Sequence, residues 1–298
     1  MKVQLVGLLL WCVSGVFGQF NDLKKVNDFD LFGPVERCEI QTAYGTEVLV
    51  FNRDGSLQQF TTSYNESDKE RITLTYQDQM LSEKLVEVFR NNRLERDLSF
   101  YHKFSKSDKA LEEIVVTLKG DLVGRNVMYV DSLGVVERIV TETPSQRSTQ
   151  RFHRILSPAL DSIFTYTDGQ LITIEVSRKN KTTQQLIQRL TVAYTDTVIT
   201  RKNYEFYERG SRLIRTIDSM FDPQTTLLFS VKDFRYSYTD KLLTAATEQE
   251  ANQSVKRRYI YQLDQANPPN WVKRIEQPSN DYITRRIIYY KANDSISK

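Results

Sequence analysis

Residues 164–172 read FTYTDGQLI. An alternating run closes on a tyrosine, a threonine follows, then Asp168 and Gly169, and a second apolar run begins. Asp side chains hydrogen-bond backbone two residues on, and Gly supplies positive φ, so the pair marks a turn. Tyr, Thr and Ile on either side suit a pleated, half-buried surface. The stretch therefore reads as strand, turn, strand. The same Tyr-x-Asp spacing recurs at Tyr76/Asp78, Tyr129/Asp131, Tyr194/Asp196 and Tyr238/Asp240. Looser copies run through Asp54 and Gly55, through Tyr207 and Gly210, and through Tyr261 and Asp264. With only 16 tyrosines in 298 residues, so many copies of one spacing form a repeat rather than an accident of composition. The expected turn residues are Asp54, Gly55, Asp78, Asp131, Gly134, Asp168, Gly169, Asp196, Gly210, Asp240 and Asp264.

Between the turns the chain alternates as strands do. In LIQRLTVAY, Leu186, Leu190, Val192 and Tyr194 share a parity, and Arg189 and Thr191 take the other. In DYITRRIIYY both parities mix apolar and charged residues, as in a sheet covered on one side and only partly exposed on the other. LSEKLVEVFRNNR (81–93) also satisfies helical spacing, but Val86 and Val88 alternate and the repeat calls for a strand there. The expected fold is all-β: a long, twisted antiparallel meander of repeated hairpins, curved as far as a half-barrel, with about fifteen to twenty strands of ordinary length. Residues 35–290 form this domain, 19–34 lead into it, 143–162 read as an irregular connection, and 291–298 are a tail.

The first eighteen residues, MKVQLVGLLLWCVSGVFG, combine Lys2, an apolar run and small residues, the pattern of a cleaved secretory signal. The run is shorter than the roughly 20 residues a membrane span needs, and no later segment is apolar enough. Cleavage leaves Cys38 alone, so the fold is expected to rest on packing without an internal disulfide. The net charge of +3 comes from 41 basic and 38 acidic residues with no long single-sign block, which speaks against a nucleic-acid partner.

With the repeats in view, the chain resembles the tyrosine-aspartate repeat proteins of the rearrangement-hotspot class, and among them short secreted members from Bacteroidetes. The carrying residues are LFGPVERCEIQTAYGTEVLVFNRDGSLQQF (31–60), YVDSLGVVERIV (129–140), NWVKRI (270–275) and RRIIYY (285–290). Most copies here lack the glycine of the family motif. The resemblance implies an extended antiparallel meander outside the cytoplasm. Large relatives use such sheets as a shell around a toxin; this chain is expected to be too short to close one, and that role is not carried over. Asp-Ser/Thr-apolar triplets, as at Asp161-Ser162-Ile163, are similar to the O-glycosylation acceptors of Bacteroidetes envelope proteins.

Chemistry-bearing residues are few. The two histidines, His102 in FYHKF and His153 in RFHRI, sit in alternating strand contexts and read as structural. Metal-ligand spacings are missing, and NDFD (27–30) opens like a calcium loop but meets Phe32 at the next ligand position. Nucleophile-elbow and phosphate-loop motifs are missing too. Glu112 and Glu113 are adjacent on a strand, point to opposite faces and cannot cooperate. Trp271, Tyr282 and Tyr290 on the last hairpin form a candidate sugar-stacking site, against a simpler reading as sheet-packing aromatics. The sequence thus leads to a non-catalytic, exported scaffold or binding protein without a cofactor, its partner a protein or glycan at the cell envelope. The alternatives are a carrier holding an apolar molecule in a concave sheet face, and a glycan-binding or glycan-processing protein.

Overall fold

The computed structural model describes residues 24–208 and 212–291. The expected signal sequence, the expected turn residue Gly210 and nearly all of the tail lie outside them. From β1 (Val35–Thr42) to β21 (Tyr282–Tyr289), every strand pairs antiparallel with the next in the chain, except that the two-residue β6 (Arg93–Leu94) is a spur on β5 (Met80–Arg90). β5 pairs directly with β7 (Phe100–Lys106). β21 then pairs back onto β1, from Val35↔Tyr289 to Gln41↔Thr284.

The sheet is therefore a closed barrel of 20 strands, not the half-barrel expected from the repeats. An open sheet of this length has two bare edges, and the β1–β21 ladder abolishes both. Nor is 143–162 an irregular connection: 143–146 are a tight turn, and the rest runs through β11 (Arg147–Leu156) and, after a short turn, into β12 (Leu160–Thr167). The polar run at 143–149 misled the reading: Thr143 and Ser145 do lie in a turn, whereas Ser148 and Thr149 are strand residues on opposite faces of β11. Residues 81–90 do form a strand, within β5, and 91–93 turn from it into β6.

The repeat resolves into two turn chemistries. At Asp78, Asp168, Asp196 and Asp240 the aspartate itself takes left-handed backbone, φ 49–54°, in a two-residue hairpin turn. In each, the tyrosine two residues earlier stands at a register shift and faces an aliphatic residue five positions on: Tyr76↔Leu81, Tyr166↔Leu171, Tyr194↔Ile199, Tyr238↔Leu243. The motif is thus the joint between two strands, a bulge and a tight turn together. Asp54 and Asp131 work differently. They sit in wider loops where Gly55 and Gly134 carry the positive φ, and their carboxylates accept backbone N–H groups, Ser56 at 2.9 Å and Leu133 and Val135 at 2.8 Å. Asp264 is of this second kind, accepting from the Ala266 and Asn270 N–H groups.

The face carrying Cys38, Ile40, Leu49 and Phe60 points inward. Residues 24–34 lie against it as a strap, bridging Lys25 to Ser56 at the start of β3 (Leu57–Ser63) and reaching Lys241 before β18 (Leu242–Glu250). The register decides which side that is: with the right-handed strand tilt general to barrels, the observed stagger turns the Cys38 and Leu49 face to the axis, so the strap lies inside the lumen. Twenty strands at that tilt make a ring about 40 Å across, and the strands make substantial contact only with their ring neighbours.

Candidate functional site

The strap covers one arc of the inner wall. Val26, Leu31 and Phe29 pack into a cluster with Val35, Cys38, Leu49, Phe51 and Leu57. Leu31, Cys38 and Phe51 are wholly buried, and burial pushes the Cys38 thiol up to about 11. Asn270, itself buried, clamps the strap's backbone: the Phe32 N–H donates to its Oδ1 (2.7 Å) and its Nδ2 donates to the Phe32 carbonyl (2.9 Å). The same Nδ2 donates to the Tyr289 hydroxyl, which donates to Asp264 Oδ2 at 2.5 Å. Burial first, then the Asp264 carboxylate, push Tyr289 up to about 12. Arg285 lies flat on the Trp271 ring, 3.5 Å from its centroid, and donates to the Phe29 and Asp30 carbonyls. Desolvation holds its guanidinium below its ordinary range.

Away from the strap the lumen wall is charged and paired. A belt runs across β12 to β20 (Trp271–Gln277): Lys179 with Asp161, Arg189 with Glu175 and Glu205, Lys232 with Glu250, and Arg257 with Glu248 and Glu276. At its centre Arg201 grips the buried Asp218 through two parallel bonds of 2.7 and 2.9 Å. On another arc His102 Nδ1 lies 2.7 Å from Glu113 Oε1, and Asn126 donates to Glu113 Oε2 at 2.8 Å. Burial raises the Glu113 carboxyl, but these two hydrogen bonds prevail and leave it below its ordinary value. Between these polar stretches, Leu111, Met128, Ile139 and Phe152 form a second apolar cluster.

The outer wall is charged as well. Arg71 binds Glu87 at 2.7 and 3.0 Å, Arg125 sits between Glu112 and Glu142, and Arg215 binds Asp233 through two bonds of 2.9 Å. Glu112 and Glu113 do face opposite sides, with separate partners.

The three aromatics of the last hairpin do not come together. Trp271 faces the lumen, buried between Tyr261 and Arg285. Tyr282 is exposed on the outer wall with Lys273 over its ring. Tyr290 sits at the strapped arc, its hydroxyl donating to the Phe51 carbonyl at 2.6 Å. Alternation would set Trp271 on the face of Ile275 and its partner Tyr282, and the register shift beside Trp271 is what separates the two. Sequence reading missed Asn270, Arg285 and the whole strap. The signal available was faint: a polar residue beside the hairpin tryptophan, and an arginine in an otherwise apolar inward set with Ile283, Ile287 and Tyr289. His153 stands on the outer wall against Phe164, ring centroids 6.1 Å apart. Among the described residues there is no cluster of three metal-ligating side chains.

No family model and no curated protein matches the chain. Solved structures similar to it include a porin-like protein from Bacteroides uniformis, at 8% identity and TM-score 0.34, covering 86% of this chain and 97% of the other. A porin-like protein from Bacteroides vulgatus gives 9% identity, TM-score 0.33, and coverage of 86% and 98%. The TcdB2-TccC3 structure gives 13% identity and TM-score 0.28, covering 80% of this chain and 16% of that one. Superpositions this loose carry no inference about function.

Proposed function

We propose that this protein is a non-catalytic, exported binding scaffold: a hollow barrel with water on both faces. The observation that supports it is the distribution of charge. A lipid-embedded barrel presents an apolar band outside and a polar lumen, whereas here mid-strand ion pairs such as Arg71–Glu87 and Arg215–Asp233 stand on the outer wall and Arg201–Asp218 on the inner one. The wall carboxylates Glu113, Asp218 and Asp233 lie against basic or amide partners rather than converging on an empty cleft, which favours binding over hydrolysis. Export rests on the apolar N-terminal run.

Purified residues 19–298 are expected to stay in solution without detergent and to remain behind when phosphatidylcholine vesicles are floated. A requirement for detergent, or flotation with the vesicles, would overturn the reading. A carrier of apolar molecules is the second reading, and the Leu111/Met128/Ile139/Phe152 patch supports it. Saturable uptake of one fluorescent fatty-acid analogue per chain, lost in Phe152→Ser, would favour it.

A further inference from the structure

Two places on the outer wall set arginines directly opposite one another on neighbouring strands. Like charges so placed repel. At the first, Arg215 on β16 (Arg212–Phe221) faces Arg235 on β17 (Leu228–Thr239), and Asp233 lies between them, bound to both. The two guanidinium groups, Arg215 first, hold the Asp233 carboxyl below its ordinary value. At the second, Arg138 on β10 (Val136–Glu142) faces Arg151 on β11. No carboxylate joins them. Arg138 lies on the ring of Tyr129, 4.1 Å from its centroid, and Arg151 is exposed without an ion-pair partner. Glu137 lines the same groove but bridges neither arginine.

The surroundings form a built site. Tyr129, Arg138, Arg151 and Tyr166 are consecutive partners in one row across β9 (Leu122–Val130) to β12. They line a groove of about 770 Å³, with Lys109 and His153 also on its wall. The Tyr166 ring thus flanks two guanidinium forks that have no acidic partner, a combination suited to a ring that carries an anion. Guanidinium takes carboxylate or sulfate through parallel bonds, and a tyrosine face covers the apolar side of a flat ring while its hydroxyl stays wet.

We propose that this groove binds an acidic carbohydrate chain, with a uronate carboxylate or a sulfate ester held by Arg151 and by Arg138, which Tyr129 backs, and a pyranose ring lying on Tyr166. The external anion takes the place that Asp233 fills at the other arginine pair. The proposal deepens the scaffold reading and rests on the outer wall facing water. Failure of that reading shows in vesicle flotation, whereas failure of the groove shows only in the titration below.

The test is calorimetric titration of purified residues 19–298 with oligogalacturonate, sulfated dextran, neutral dextran and inorganic sulfate. Saturable binding of an acidic chain is expected, weakened about tenfold or more in Arg151→Glu, which supplies the missing carboxylate. Arg138→Gln should weaken it similarly, and serves if Arg151→Glu does not fold. Arg215→Gln, at the neutralised pair, should leave binding unchanged. Neutral dextran should not bind, and inorganic sulfate should bind far more weakly than the chain. No saturable binding by either acidic chain, or binding unmoved by both groove variants, would overturn the proposal. Equal binding of neutral dextran would remove the arginines from it, and equal binding of free sulfate would remove Tyr166 and the sugar.

Discussion

The arc under the strap and the arc bearing the charge belt are built from the same strand-and-turn units, yet one is dry and the other wet. Cys38, Leu49 and Phe51 on the first are fully buried, because Val26, Phe29 and Leu31 cover them. On the second, the same inward positions hold Arg189, Arg201, Asp218 and Lys232, which pair sideways along the wall. A ring about 40 Å wide is too broad for its inward side chains to meet across the axis. The deepest packing forms where another piece of chain enters the lumen, whereas the Leu111/Met128/Ile139/Phe152 cluster is buried along the wall alone. The strap is that piece, and its reach sets how far the deepest packing extends.

Removing the strap's anchor should sharpen this contrast most. Leu31→Ala is expected to cost about 3 kcal/mol in urea unfolding, as large-to-small changes in a packed core do, and to speed the reaction of Cys38 with a thiol reagent. Ile217→Ala, at a half-buried outward site, should cost about 1 kcal/mol and leave the thiol unreactive. Equal costs would erase the distinction. Next in size is Asn270→Ala, which leaves the Phe32 N–H and carbonyl without their partners. A loss of about 2 kcal/mol is expected, again with a more reactive Cys38.

On the wet arc, Arg201→Gln leaves the buried Asp218 without its fork, and about 1–2 kcal/mol should be lost. Because the pair is partly open to solvent, added salt should shrink the difference between variant and parent. The pH dependence carries a smaller effect. Glu113 is held below its ordinary value, so its contribution is present above the unfolded carboxyl pKa near 4.5 and is lost as pH falls through the folded one. Urea midpoints measured from pH 6 down to pH 3 should therefore fall less steeply in Glu113→Gln than in the parent.

Tyr76, Tyr207 and Tyr289 are raised to about 12, by burial first in each. Their neutral forms stabilise the fold below pH 10, and that support drains as pH climbs toward 12. Absorbance at alkaline pH should show a late-titrating set of tyrosines, absent after denaturation.

Much of this fold is legible in the residues. Tyr-x-Asp marks the joints because only a few residues tolerate left-handed backbone, and aspartate is among them. Strand identity is legible even in 81–90, where helical spacing competes. The candidate site was far less so. Trp271, Tyr282 and Tyr290 look like one cluster in the chain, but alternation sends Tyr282 outward while the register shift beside Trp271 turns the indole inward. Asn270 gives no local sign of its role, since its partner Phe32 is 238 residues away.

The sequence by itself determined the strands, the joints between them and the mixed charge of both faces, because these follow from neighbours a few positions apart. Closure, the identity of the inner face and the strap were decided only by tertiary structure. Whether β21 meets β1 depends on twist and stagger accumulated over every intervening ladder, and no short stretch of chain encodes that sum. The opposed Arg138 and Arg151 show the same division. Each is an ordinary strand arginine in the sequence, and register alone sets one facing the other without an acid between them.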